Sequence, residues 1–346
     1  MIELRNDYSV GAHEHVLQKL SDFNKTPFPG YGTDEVCRAA ERRVREMTGK
    51  KEARLVFIPG GTQANLTVIA SILRPHQGVV AADTGHINVH EAGAIEATGH
   101  KVLTIPHEEG KLTAASLRGL IERHYADETH EHMVQPGMVY ISNTTELGTV
   151  YSAGELAALS AVCREKGLPL YLDGARLGFA MASGEEALTL REIADACDVF
   201  TIGLTKQGAL FGEAVVIVNP ALQRDLVSLV KQRGALMAKG WLMGLQFEAL
   251  MEDGLYLQLS KRAVDLAVRM REGLKNLGVG FLIDSPSNQQ FPILPDRAVE
   301  ALRAKVAFNV IEPLEGGRTA IRLCTGWATE ESEIDALLSV LERVLS

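Results

Sequence analysis

The chain has 346 residues, of which 46% are hydrophobic and 23% charged, a composition typical of a globular protein with one large and one smaller domain. Its net charge of −9 disfavours nucleic-acid binding, which needs a basic face. The start, MIELRNDYSVGAHEH, lacks the apolar core of a signal peptide, and no apolar run approaches the roughly 18 residues of a membrane span. We therefore expect a soluble, cytoplasmic protein.

Short β-branched runs alternate with helical patterns through the first two thirds of the chain. The predicted strands are 53–58, 78–83, 101–106, 137–142, 168–173, 198–204 and 213–219, and the predicted helices are 62–73, 88–99, 113–124, 152–167 and 189–195. In the fourth of these helices Ser152 and Glu155 form a capping box. This alternation predicts an α/β fold with a mainly parallel seven-stranded sheet covered by helices.

The pattern changes after about residue 220, where helical periodicity dominates. Helices are predicted within 220–253, over 256–278 and over 329–345, with strands at 281–284, 288–294, 308–313 and 320–326. We expect a large α/β domain over 26–240 and a smaller α+β domain over 241–346. The first 25 residues should pack on the small domain or on a partner.

Several predicted strands end in polar residues, and ligands of open parallel sheets bind beyond the carboxyl ends of the strands. These polar residues are Gly60, Gly61, Thr62, Gln63, Asp83, His86, Asn143, Thr144, Thr145, Glu146, Asp173, Arg176, Thr205 and Lys206. The four cysteines, by contrast, are far apart and form no C-x-x-C pair, which favours buried thiols over disulfides. No metal site is predicted.

Three of these strand ends leave two interpretations each. The glycines of PGGTQAN suit an anion at a helix N-terminus, or an ordinary turn capped by Thr62. Asp173 follows an apolar strand and either holds a cationic ligand group, such as a protonated pyridine nitrogen, or caps a helix or pairs with Arg176. Lys206 is either a desolvated nucleophilic amine or a strand-end lysine that reaches solvent. Together, an amine, a carboxylate and a phosphate cup fit pyridoxal 5′-phosphate.

These residues stand in ordered segments that resemble the threonine aldolase and β-eliminating lyase group of the fold-type I, aspartate-aminotransferase-like enzymes. The likeness covers nearly the whole chain. The segments are NDYSVGAH (6–13), YGTDEV (31–36), ERRVREMTGK (41–50), IPGGTQAN (58–65), HINVHEAGAIEATGHKV (86–102), TELGTVYS (145–152), LDGARL (172–177), TKQGALFGEAVV (205–216), LMAKG (236–240) and IRLCTGWAT (321–329).

The resemblance implies roles for individual residues. Lys206 matches the lysine that carries the cofactor as a Schiff base, Asp173 the partner of the pyridinium nitrogen, and His86 the histidine stacked on the ring. The remaining matches are the phosphate cup of Gly61, Thr62 and Gln63, a basic position near the phosphate at Lys239, the arginines Arg176 and Arg322 near the substrate carboxylate, and the lining residues Asn6, Ser9 and Tyr31. A neighbouring subunit can supply Tyr31.

The resemblance also implies an activity, namely cleavage of the Cα–Cβ bond of a β-hydroxy-α-amino acid, as in threonine to glycine and acetaldehyde. A homodimer or homotetramer with active sites at the interface is implied too. One departure leaves the base open: many relatives carry a histidine where this chain has Thr145, so His86, Glu146 or a water must serve. The alternatives are β-elimination or transamination, a non-catalytic binding protein of the same fold, and a nucleotide-binding protein.

Overall fold

The computed structural model describes residues 1–184 and 186–345. Its strands are β1 (Ile2–Glu3), β2 (Arg54–Ile58), β3 (Gln77–Ala82), β4 (Val102–Ile105), β5 (Gln135–Ser142), β6 (Leu170–Asp173), β7 (Val199–Gly203), β8 (Glu213–Ile217), β9 (Gly280–Phe281), β10 (Gln289–Gln290), β11 (Pro292–Pro295), β12 (Val306–Ala307), β13 (Asn309–Leu314) and β14 (Arg318–Cys324). Its helices are α1 (Glu14–Asp22), α2 (Glu35–Thr48), α3 (Gly61–Ile72), α4 (His86–Val89), α5 (Ala114–Ala126), α6 (Ala153–Lys166), α7 (Leu177–Met181), α8 (Leu190–Ala196), α9 (Leu226–Gln232), α10 (Trp241–Met251), α11 (Leu255–Asn276), α12 (Asp296–Arg303) and α13 (Glu331–Leu345).

The large sheet has seven strands in the order β2-β8-β7-β6-β5-β3-β4. Strands β3 to β7 run parallel to one another, and β8 is antiparallel to both β2 and β7. Alternate side chains enter two separate cores: Val80 and Val139 belong to one, Val79 and Met138 to the other. Such burial on both faces explains why the strands are nearly continuous apolar runs. The predicted seven-stranded, mainly parallel sheet is confirmed.

A second, antiparallel sheet lies in the C-terminal third and contains β9, β10, β11, β13 and β14. Its apolar residues join those of α11, α12 and α13 in a third core, which also includes Leu4. Strand β1 pairs in parallel with β12, so the start of the chain lies on this C-terminal layer. Helix α10 packs on α1 and α2. The domain boundaries at residues 25 and 240 stay a prediction.

Three predicted elements are wrong in detail. The single strand over 288–294 is divided into β10 and β11, which are separated by Phe291. The single helix over 88–99 is replaced by α4 and a 3-10 turn at Glu96–Thr98, because Ala92 and Gly93 between them both have positive φ, which no right-handed helix tolerates. The strand at 281–284 contracts to β9.

The predicted start of α6 is confirmed. The Ser152 hydroxyl accepts the Glu155 N–H at 3.2 Å, and the Glu155 carboxylate accepts the Ser152 N–H at 2.8 Å. Within residues 1–184 and 186–345, no helix combines the length and apolar character needed to cross a membrane. All four cysteines are buried and unpaired.

Candidate active site

A cavity of about 280 Å³ opens at the carboxyl ends of the parallel strands. The sequence-predicted residues that line it are Gly60, Gly61, Thr62, His86, Thr144, Glu146, Asp173, Arg176, Thr205 and Lys206. The fold explains their meeting: Asp173 ends β6, Lys206 lies in the 3-10 turn directly after β7, and α3 and α4 begin directly after β2 and β3. Residues more than 140 positions apart in the chain therefore share one site.

Asp173 is a buried carboxylate with three hydrogen-bond donors. Its Oδ2 accepts the Tyr140 hydroxyl at 2.7 Å and the Asn65 amide at 2.9 Å, and its Oδ1 accepts the Ala175 N–H at 2.9 Å. Burial opposes ionisation, but the charge of His86 and these donors outweigh it and lower the pKa of Asp173. Asp173 thus stays ionised and suits a cationic ring nitrogen.

The Lys206 amine has no ion-pair partner or hydrogen-bond acceptor among the residues that the structure describes. Burial, and then the charge of Arg176, lower the pKa of Lys206 below that of an ordinary lysine. A larger fraction of uncharged amine follows, which is what a nucleophilic lysine requires.

The N-terminus of α3 is open towards the cavity. Its N-cap is Gly60, without a side-chain cap, so capping by Thr62 is wrong. In the described part of the chain, the N–H groups of Gly61, Thr62 and Gln63 have no acceptor. A Cβ added at Gly60 would meet no atom within 4 Å. This end of the helix can therefore hold an anion on free N–H groups.

His86 is held at both its ring and its backbone. The ring Nδ1 lies 2.8 Å from Oε1 of Glu91, and the backbone N–H donates to Glu146 Oε1 at 2.9 Å. Burial opposes the imidazolium, but the bond to Glu91 and the charge of Asp173 prevail and raise the pKa of His86. Asn65 donates to both Glu91 and Asp173, at 2.7 and 2.9 Å, and so ties the two carboxylates together.

Arg176 pairs with Asp7 and not with Asp173, so that alternative for Asp173 is wrong. Its Nε and Nη2 donate to the Asp7 carboxylate at 2.7 and 3.0 Å. Burial disfavours both charges, but the charge of Arg176 outweighs it and lowers the pKa of Asp7 to about 2. Asn288 also donates to Asp7, at 3.0 Å. The N-terminal segment thereby contacts both sheets beside the cavity.

Other predicted residues lie outside the cavity lining. Arg322 is partly buried, and its guanidinium contacts Gln289 Oε1 at 3.4 Å and the Arg5 carbonyl at 3.3 Å. The pKa of His90, which follows α4, is lowered by burial and by the charges of three residues. These are His86, Arg322 and Arg176. Both guanidinium groups therefore lie on the His90 side of the site.

The other predicted residues away from the lining are Asn6, Ser9, Gln63, Tyr31 and Lys239. Asn6 accepts the Ser9 hydroxyl at 2.9 Å. The Gln63 amide donates to the Arg233 carbonyl at 2.9 Å. Tyr31 is 48% exposed and its N–H donates to the carbonyl of Ala238, next to the exposed Lys239.

Sequence reasoning missed six polar residues of this site. They are Asp7, Asn65, Glu91, Tyr140, Ser142 and Glu213. Asp7, Asn65, Glu91 and Glu213 lie inside the segments that carry the resemblance, which was a usable signal. Tyr140 and Ser142 stand in an apolar strand, where Tyr140 has the pattern of a core residue. Glu213 is a charged residue at the head of an apolar strand and could have been singled out.

Comparison with known proteins shows which family this chain resembles. The model of the β-eliminating lyase family matches residues 29–291. A low-specificity L-threonine aldolase of Pseudomonas sp. is 31% identical over 321 residues, covering 91% of this chain and 90% of the relative. The chain belongs to the β-eliminating lyase family. A second low-specificity L-threonine aldolase, from Pseudomonas aeruginosa, is 30% identical, and the match covers 88% of this chain and 87% of the relative.

Solved structures place this β-eliminating lyase family member within a wider fold. The structure of Leishmania major threonine aldolase superimposes with a TM-score of 0.97 at 46% identity, over 100% of both chains. A Thermus thermophilus aspartate aminotransferase matches with a TM-score of 0.73 over 99% of this chain and 91% of that one. Its 16% identity shows the common fold alone. The expected fold-type I architecture is confirmed.

Thr145, which stands where many relatives carry a histidine, and its neighbour Glu146 have different surroundings in this β-eliminating lyase family member. Thr145 is buried, and its hydroxyl is paired with that of Thr149 at 2.7 Å. Glu146 lines the cavity, and its Oε1 accepts the Ser142 hydroxyl at 2.7 Å as well as the His86 N–H. Burial raises the pKa of Glu146. Of the two, Glu146 is the one that a ligand in the cavity can contact.

Proposed function

We propose that this chain is a pyridoxal 5′-phosphate-dependent lyase that cleaves a β-hydroxy-α-amino acid, with threonine giving glycine and acetaldehyde. The observation that carries the proposal is one cavity lined by an amine of lowered pKa, an ionised carboxylate and an open helix N-terminus. These three features fit the amine, ring-nitrogen and phosphate contacts of the cofactor. The threonine aldolases among the relatives support the substrate class.

The cofactor would be held by residues in separate roles. Lys206 would bond to the cofactor, Asp173 would hold its ring nitrogen, and His86 would lie against its ring. The N-terminus of α3, from Gly61 to Gln63, would bind its phosphate together with Lys239 from a neighbouring subunit. When bound, the cofactor supplies an electron-withdrawing ring that stabilises the electron pair released at Cα. The donors to Asp173 keep its charge in place for that purpose.

The substrate carboxylate would bind Arg176 and Arg322. The ion pair with Asp7 uses Nε and Nη2 of Arg176, which leaves Nη1 for the substrate and fixes the plane of the guanidinium. A fixed guanidinium orients the Cα–Cβ bond as well as neutralising charge. Asn6 and Ser9, in the segment that carries Asp7, complete this side of the substrate site.

The β-hydroxyl proton would go to Glu146. Its Oε1 is engaged by Ser142 and the His86 N–H, so Oε2 is the atom left for the substrate. The raised pKa of Glu146 brings it nearer to neutral, as general-base catalysis favours. His86 has a raised pKa and serves as a hydrogen-bond donor instead.

We also propose that the enzyme is a cytoplasmic homodimer or homotetramer in which Tyr31 and Lys239 reach the neighbouring active site. Both are exposed and lie outside the cavity of their own chain. The Tyr31 ring is fixed by Lys231, whose Nζ lies 4.5 Å from the ring centroid, and by a positive φ of 62°. The four buried, unpaired cysteines suit a reducing compartment.

The test is to incubate the purified protein with pyridoxal phosphate and L-threonine and to identify the products. We expect glycine and acetaldehyde from the wild type, and loss of both turnover and the visible absorption of the bound cofactor in Lys206→Ala. The matched control is Lys261→Ala, which removes an exposed lysine paired only with Asp265. A Lys206→Ala variant with full turnover would refute the proposal, and other products from serine or cysteine substrates would favour β-elimination.

A further inference from the structure

Glu213 is a buried acid at the edge of the cavity. It begins β8, opposite Ile58 of β2 and Gly203 of β7, and is 4% exposed. Its Oε2 has no hydrogen-bond partner in residues 1–184 and 186–345. Its Oε1 lies 3.9 Å from the position that a Cβ would take on Gly61, and its side chain lines the cavity. The carboxyl group therefore lies against the open N-terminus of α3.

The surroundings of Glu213 favour its neutral form. Burial is the largest influence and raises its pKa to about 8. The charge of Lys206, in the turn after β7, opposes this rise, and the charge of Asp173 on β6 adds to it. Tyr171 on β6 and Tyr256 on α11 are also near enough to sense Glu213, and both stay uncharged because burial raises their pKa values. The first turn of α3 carries no acidic residue.

We propose that Glu213 serves the phosphate site as a neutral carboxylic acid, donating its O–H to a phosphate monoester dianion bound at the N-terminus of α3. This inference deepens the proposed function, since the phosphate would be that of the cofactor. An ionised carboxylate at this place would repel a dianion, which is an acceptor at all its oxygens. A carboxylic acid adds a donor directed to the same anion as the N–H groups of Gly61 and Thr62.

A pH dependence follows from this arrangement. If only the acid form of Glu213 accepts the dianion, affinity for phosphate monoesters falls as pH rises through the pKa, by about tenfold for each further unit. The second ionisation of a phosphate monoester lies near pH 6, so the ligand itself does not change above pH 7.5. Lys206 also titrates in this cavity, and a variant that changes Glu213 alone separates the two effects.

The experiment is calorimetric titration of the full chain, freed of cofactor, with methyl phosphate between pH 7 and pH 9.5. Methyl phosphate has neither ring nor aldehyde and reports the phosphate site alone. We compare the wild type with Glu213→Gln, which keeps a donor without titrating, and Glu213→Ala, which has none. We expect the affinity of the wild type for methyl phosphate to fall at least tenfold over this range. The affinity of Glu213→Gln should fall less. At pH 7, Glu213→Ala should bind methyl phosphate more weakly than the wild type.

Three outcomes would overturn the inference. They are parallel pH curves for wild type and Glu213→Gln, equal affinities of wild type and Glu213→Ala at pH 7, and wild-type affinity that does not fall above pH 8. The last needs no variant and holds even if the substituted chains fail to fold. Threonine cleavage by the wild type is assayed separately, so these results leave the proposed function standing, whereas absent cleavage with normal phosphate binding rejects that function instead.

Discussion

The carboxyl end of β6 and the start of β8 each place a buried acid in the same cavity, and the two acids have opposite properties. Asp173 accepts three hydrogen bonds and has a lowered pKa. Glu213 Oε2 has no hydrogen-bond partner among the described residues, and the pKa of Glu213 is raised to about 8. Burial is similar, at 7% and 4% exposure, so the charge of His86 and the three donors around Asp173 account for the difference.

This difference matches what each end of the proposed cofactor would require. A cationic ring nitrogen needs an ionised partner, and an anionic phosphate needs donors and no negative charge. The site would therefore obtain two kinds of contact from one functional group by changing only its neighbours. The comparison can be tested by removing each acid and by removing one donor.

The largest effect is expected for Asp173→Asn, which keeps the shape of the side chain and removes its charge. We expect kcat for threonine cleavage to fall roughly 10²–10³-fold, the scale for loss of one preorganised electrostatic partner. The matched control is Asp198→Asn. Asp198 immediately precedes β7, at the end of the strands opposite to the cavity, and its carboxylate accepts the Leu170 N–H at 2.9 Å. Equal activities of the two variants would mean that the charge at the end of β6 has no catalytic role.

The next effect concerns stability and has a definite sign. Between pH 4.5 and about 8 the folded chain holds the Glu213 proton and the unfolded chain does not, so the free energy of unfolding falls as pH rises. The Glu213→Gln variant does not show this loss. The difference in the free energy of unfolding between the variant and the wild type should therefore shift in favour of the variant by roughly 3 kcal/mol from pH 5 to pH 8. Urea denaturation of the cofactor-free chain at each pH measures this difference.

Asp173→Asn provides the contrast in the same denaturation series. The pKa of Asp173 is lowered, so its contribution to stability is present above its ordinary value of 3.8 and lost only as pH falls below it. Its own titration therefore contributes no slope between pH 5 and pH 8, and any change in slope for Asp173→Asn reports the loss of the charge that raises the pKa values of His86 and Glu213. Identical slopes for wild type and Glu213→Gln would show that Glu213 ionises normally.

The smallest effect is expected for Tyr140→Phe, which removes one donor from Asp173. A hydrogen bond to a charged group contributes about 1.5 kcal/mol or more, so kcat should fall roughly tenfold and the acid limb of its pH profile should move to higher pH. Tyr171→Phe is the control, since that hydroxyl donates to Asn65 at 2.7 Å and not to Asp173. A Tyr171→Phe variant as impaired as Tyr140→Phe would assign the effect to packing.

Much of the fold was predictable, because the first 217 residues show clear strand and helix periodicity. The seven strands β2 to β8 of the large sheet form where that periodicity places them. Local signals such as Ser152 and Glu155 even fixed a helix start. The break after α4 was not predictable, since Ala92 adopts a positive φ that its residue type does not favour. The short strands β9, β10 and β12 depend on pairing with distant segments.

The candidate site was predictable where polar residues end strands, as at Asp173 and Lys206. What could not be predicted is which partner each charge finds. Arg176 lies three residues from Asp173 in the chain yet pairs with Asp7, 169 positions away. Only the tertiary arrangement also shows that Thr145 turns into the core while Glu146 faces the cavity.

The placement of Asp7 has a consequence for the order of events during synthesis on the ribosome. Asp7 is made long before its partner Asn288, before the β12 strand that pairs with β1, and before Cys324, whose N–H donates to the Leu4 carbonyl. The large sheet is complete once residue 217 has emerged, whereas the N-terminal segment must wait for over a hundred more. Arg176, which we propose binds the substrate carboxylate, would thus be set in place only after the second sheet has been made.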